Sequence, residues 1–170
     1  MSGPDDLPPS GPSRNAWIGP AVRASMPVAA PPLVAAVIGN GFIGRSSLAW
    51  FNELRRPGMQ VPLPVFIVVG GVYYGLMGVV LQRAQRGQDT VLRNRTYAVL
   101  AGNELWNVLL FGRRSTRAGF VGMLAFTPMV LALQHRAQRD RWARVAAGVY
   151  TAWVLGYDVP WSYRLWRLNP

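Results

Sequence analysis

From residue 62 to residue 82 the chain runs for 21 positions without a charged side chain. At about 1.5 Å of rise per residue, a helix of that length crosses the roughly 30 Å hydrocarbon core of a bilayer. The rest of the sequence repeats the pattern less strictly. Apolar stretches occupy about residues 28–44, 96–112, 118–134 and 145–166, and the arginines fall between them. The chain therefore reads as an all-α membrane protein, a bundle of five transmembrane helices with a multi-pass topology.

Composition agrees with that reading. Half of the residues are hydrophobic and 15% are charged, where soluble domains carry about a quarter. The formal net charge of +11 comes from eighteen arginines and no lysine. Their clustering beside apolar segments suits loops that touch anionic headgroups, so nucleic acid is not an expected partner. Ten arginines fall on the side of the N-terminal tail and eight on the other, which leaves orientation undecided. The absence of cysteine removes disulfides and thiolate metal sites. Residues 1–27 are rich in Pro, Gly and Ser and are expected to form a disordered tail; residues 28–169 form the five-helix domain.

Several motifs add detail. Trp50-Phe51-x-x-Leu54-x-Arg56-Pro57 reads as an interfacial stretch with an aromatic anchor and two arginines, and Pro62, Phe66, Val69, Tyr74, Met77 and Gly78 follow it in the second segment. Leu100-x-x-Asn103-x-x-Trp106 precedes Leu110-Phe111-Gly112 in the third. Tyr150-x-x-Trp153 and the closing Trp166-Arg167-Leu168-Asn169 belong to the fifth. In that order, these four motifs resemble the TspO family, the tryptophan-rich sensory or translocator proteins, over about residues 28–169. The chain departs from the family pattern at several places. Met59 stands where the family has a loop tryptophan, Val61 where it has a proline, and Gly70 where the second helix has a tryptophan. Val99 replaces a glutamine, Val149 a proline and Tyr157 an alanine. One extra residue before Trp166 makes the family's next asparagine fall on Trp161 or Ser162.

Helical spacing puts Val99, Asn103, Trp106 and Leu110 on one face of the third segment. Tyr150, Trp153, Tyr157 and Trp161 share a face of the fifth; Phe66, Gly70, Tyr73 or Tyr74, and Met77 share one of the second. Such stripes also serve ordinary core packing or an interfacial belt. The resemblance implies that they enclose a ligand site made of Phe66, Tyr74, Asn103, Trp106, Tyr150, Trp153, Tyr157 and Trp161. It implies a porphyrin or similar hydrophobic molecule as ligand, with Trp106, Trp153 and Tyr157 stacking on it and Asn103 offering a polar contact. It implies a homodimer as well. Gly70 and Tyr157 are expected to exchange bulk across one cavity.

Glu104 and Asp158 are ionisable groups within apolar segments and candidates for function on that ground. Pairing or protonation would equally account for them. Asn103 either grips a ligand or bridges two helices. Pro160 is expected to interrupt the fifth helix, and Gly71 with Gly75 permits close helix approach. Val159, Tyr163 and Arg167 fit a loose cholesterol-contact pattern, and His135 is an isolated histidine at a segment boundary. Neither a metal site nor a catalytic nucleophile is expected. The implied role is tetrapyrrole binding for sensing, sequestration or transport, with no resident cofactor. The alternatives are light-dependent porphyrin breakdown and proton-coupled transport.

Overall fold

The computed structural model describes residues 30–35, 37 and 44–170. The expected tail at 1–27 and most of the first apolar segment lie outside the described residues. Residues 30–35 are helical and place Ala35 in the core. Six further α-helices follow among the described residues: α1 (Arg45–Glu53), α2 (Leu63–Arg86), α3 (Thr90–Asn107), α4 (Thr116–Ala137), α5 (Arg141–Trp153) and α6 (Val159–Leu168). Two π-helical turns extend them. Val108–Gly112 continues α3, and Val154–Asp158 joins α5 to α6, so residues 141–168 make one unbroken rod.

No β-strand is present among the described residues, as an all-helical chain requires. Two helices are long and apolar enough to cross a membrane, Pro64–Arg86 and Thr116–Ala137. The other two long rods fall short of the five uniform spans expected. The third begins with Arg93 and Arg95 inside the helix and carries Asn103, Glu104 and Asn107. The fifth carries Asp158 at the end of its π-turn, Val154–Asp158. The stretch around Trp50, read from sequence as an interfacial segment, is largely helical and forms α1.

Connections between the rods take three residues each, which forces antiparallel neighbours. Each following helix has a side-chain cap: Asp89 accepts from Leu92 N–H, Ser115 from Ala118 N–H, and Asp140 from Ala143 N–H. The principal contacts join α2 with α3 and α5, and α4 with α3, α5 and α6, closing a four-rod ring. Glycine governs the closest crossing. A Cβ on Gly119 would lie 2.7 Å from Leu110, and one on Gly102 would lie 2.8 Å from Phe126. Bare backbone is therefore what lets α3 and α4 pack at this distance.

Two capping aspartates also tie rods together. Arg83 near the end of α2 grips Asp140 through three N–H···O contacts of 2.8–3.1 Å. Arg136 of α4 pairs with Asp89 at 2.8 Å. Arg95 donates to the Ala132 carbonyl at 2.7 Å. Three arginines assigned by sequence to headgroup loops are thus engaged within the protein.

Candidate functional site

At the opposite end, α1 and the segment after it lie over the bundle. Their position is fixed by the last residues of the chain. Asn169 Oδ1 accepts from Arg55 N–H at 2.9 Å, and its Nδ2 donates to the Arg55 carbonyl at 3.0 Å. This two-way pairing copies one rung of a β-ladder. The Thr116 hydroxyl donates to the Asn169 carbonyl, and Val61 N–H donates to the Tyr157 phenol oxygen at 3.0 Å. Sequence supplied Asn169 only as part of a closing motif; its clamp depends on a partner 114 residues away.

Beneath this cover the aromatic side chains form a continuous array. Trp153 stacks on Tyr157 with centroids 4.5 Å apart, and Tyr157 lies nearly parallel to Trp161 at 6.3 Å. Phe66 meets Tyr157 and Trp161 edge-on, at 6.0 and 5.5 Å. Trp106 meets Trp161 at 6.4 Å, and Phe51 of α1 meets it at 6.2 Å. Five of the eight predicted site residues therefore come together: Phe66, Trp106, Trp153, Tyr157 and Trp161. Their rings fill one another's faces, and Trp161 is 1% exposed.

The indole N–H groups divide sharply. Trp106 donates to the Gly119 carbonyl at 3.0 Å and Trp153 to Asp158 at 2.9 Å. Among the described residues, Trp161 Nε1 is buried without a hydrogen-bond partner, a costly state for a donor.

The remaining three predicted residues belong to a polar cluster. Glu104 is buried and accepts from Tyr74 O–H at 2.8 Å, Asn103 Nδ2 at 3.3 Å and Asn107 Nδ2 at 3.4 Å. Tyr150 O–H donates to Asn103 Oδ1 at 3.5 Å. Asn103 thus bridges α3 to α5 through Tyr150. Asn107, which the sequence motifs do not include, joins the cluster because it lies one turn beyond Glu104.

Other expectations are also corrected. Tyr157 packs against Phe66, one turn before Gly70, while no described atom lies within 4 Å of a Cβ built on Gly70. The phenol does not fill the space left by the missing indole. Gly71 and Gly75 are exposed, with no described atom near their Cβ positions, so they mediate no crossing among the described helices. Pro160 does not break the fifth helix; the wide turn before it carries the helix through, Val159 N–H reaching the Val154 carbonyl. His135 is exposed in the last turn of α4. Val159, Tyr163 and Arg167 lie one turn apart, with Tyr163 packed on Phe120 and Trp166. Among the described residues, no three His, Asp or Glu side chains gather as a metal would need.

Two voids adjoin these clusters. A chamber of about 260 Å³ lies between α1, the following segment and Phe66. A groove of about 110 Å³ runs between α2 and α5 beside Tyr73, Tyr150 and Trp153. Both are smaller than the roughly 300–1,000 Å³ common for drug-sized ligands.

The TspO/MBR family model matches residues 28–160, which includes the polar cluster and the aromatic array as far as Tyr157, with Trp161 one residue beyond the match. The chain belongs to the TspO/MBR family. Comparison with curated proteins finds no match. The TspO/MBR family is membrane-associated, and this member supplies two helices of membrane-crossing length and composition. Its departures from the family pattern acquire a geometry. Tyr157, in place of an alanine, both joins the aromatic array and holds Val61. Met59, in place of a tryptophan, receives Arg164 Nη1 at 3.4 Å.

Proposed function

We propose that this TspO/MBR-family chain is a five-span, multi-pass membrane protein that binds a flat hydrophobic ligand of the tetrapyrrole class. Residues 28–169 act as one ligand-binding domain. The observation that carries this reading is the array of Trp106, Trp153, Tyr157, Trp161 and Phe66 beneath a cover clamped at its edges. Polarisable ring faces of that kind suit a planar π-system. The Trp161 N–H, rather than Asn103, supplies the polar contact. Because the rings now occupy one another, a tetrapyrrole enters by displacing the cover and parting Tyr157 from its neighbours. The bound ligand is sensed, held or passed across the bilayer. The exposed Gly71 and Gly75 face of α2 suits pairing of two copies as a homodimer.

Titration with protoporphyrin in detergent tests this reading. Saturable quenching of tryptophan fluorescence, weakened at least tenfold by Trp161→Phe, is expected. Quenching that rises linearly without saturation, or that ignores the substitution, would remove it.

One observation favours a second reading. Glu104 holds three neutral donors and has no basic partner among the described residues. A proton-coupled carrier would use such a group, and pH-driven uptake into proteoliposomes abolished by Glu104→Gln would reveal it. Light-dependent porphyrin breakdown is less well served, because Gly70 lacks the family's indole. Bleaching of porphyrin absorbance under illumination would identify that activity.

A further inference from the structure

The chamber under α1 has a built polar edge as well as an apolar body. Phe51, Pro57, Val61, Pro62 and Phe66 supply apolar walls. Asn52, Arg56 and Gln60 share the lining with different chemistry. Gln60 is placed by a tight turn in which its N–H donates to the Pro57 carbonyl at 2.9 Å, and its Oε1 is buried without a partner among the described residues. Native proteins leave few such atoms unpaired unless something else meets them. Arg56 stands at the rim with one donor on Asn52 Oδ1 at 3.1 Å, which fixes the guanidinium while leaving the rest of its fork available.

The surroundings favour an anion. Arg55 and Arg56 belong to the cover, and Arg164 reaches it through Nη1 on Met59 Sδ at 3.4 Å, so positive charge gathers at this end of the bundle. A cleft within such a field concentrates negative ligands. At about 260 Å³ the chamber accepts a mono- or bicyclic ring body but not a whole tetrapyrrole.

We infer that the chamber beneath α1 binds a small aromatic carboxylic acid, its carboxylate on Arg56 and an N–H or O–H donor on Gln60 Oε1. The guanidinium fork matches the planar carboxylate. The donor satisfies the amide oxygen that the fold leaves unmet, and the ring lies against Phe51 and Phe66. The chamber adjoins the array and shares Phe66 and the cover with it, but the inference rests on Arg56 and Gln60, which the tetrapyrrole reading does not use.

Isothermal titration of the full chain in phosphatidylcholine nanodiscs, with three probes, tests the assignment. Indole-3-acetate carries ring, carboxylate and N–H; 1-naphthaleneacetate lacks the N–H; indole lacks the carboxylate. Indole-3-acetate is expected to saturate and to bind at least about tenfold tighter than indole. Arg56→Gln should weaken it about tenfold or more, with Arg56→Lys recovering part of the loss. Gln60→Leu should weaken indole-3-acetate several-fold and leave 1-naphthaleneacetate unchanged. Near-UV circular dichroism identical to the parent shows that each variant is folded; Arg56 is exposed and free to change without disturbing the core. Equal binding of the three probes, identical affinities across the variants, or no saturable heat with indole-3-acetate would each overturn the proposal.

Discussion

At the scale of single residues, the least expected arrangement is a buried carboxylate served only by neutral partners. Glu104 takes hydrogen bonds from Tyr74, Asn103 and Asn107. Replacing it by alanine strands three donors in a buried site, where each lost partner costs about 1–3 kcal/mol. Glu104→Ala should lower the thermal unfolding midpoint clearly, and Glu104→Gln, which keeps an acceptor oxygen, should lower it less. Equal midpoints for the two variants would show that the cluster adds nothing to stability. The acid was legible in the sequence, because an ionisable residue between apolar neighbours is conspicuous. It could not reveal the donors, which come from three turns of two helices and depend on how those helices are rotated. Trp161 illustrates the same limit. Its helical spacing from Trp153 and Tyr157 was readable, but the lack of a partner for its N–H exists only in the packed array.

Among the elements, helix content was legible and helix ends were not. The apolar runs found four long rods, yet each rod extends beyond its apolar run into charged or polar flanks. Capping explains this: Asp89, Ser115 and Asp140 start helices several residues before the hydrophobic pattern begins. The cover over the aromatic array was read as an interfacial strip without a helix, since its length gives little periodicity. Its attachment to Asn169 is non-local and invisible to any window of sequence. Asn169→Ala removes both bonds to Arg55, so amide exchange over residues 54–61 should quicken markedly while exchange in α4 stays unchanged. Uniform quickening throughout the protein would instead mark a global loss of stability. The π-turn at Val154–Asp158 offers a place for the extra residue that the family resemblance puts before Trp166. A wide turn holds one more residue than an α-turn, so the helix beyond it keeps its orientation. Deleting Gly156 should convert this turn to α-helix and leave the Phe120–Trp166 stacking intact, which a structure of the variant would check.

For the whole molecule, topology is the open question that the cysteine-free sequence makes easy to address. If the chain spans the membrane five times, single cysteines at Gln88 and Arg114 should react with an impermeant maleimide from opposite sides of sealed vesicles. Labelling of both from one side would rule that topology out. The two ends of the bundle also differ in how they respond to pH. Arg83 beside Asp140 holds that carboxyl below its ordinary range. Burial would raise the Asp89 carboxyl, but Arg136 and the Leu92 amide outweigh it and the net direction is down. A depressed carboxyl contributes stability above its unfolded value and loses it as pH falls through the folded one. Acidification below about pH 4 should therefore loosen this end. Asp140→Asn should flatten the dependence, followed by thermal unfolding across pH 3–6. Those two ion pairs stitch four rods at one end, while the other end is fastened by a terminal asparagine, a threonine and a phenol. The described bundle is accordingly fastened by charge at one end and by neutral hydrogen bonds at the other. Salt and acid act on the first fastening and pass over the second.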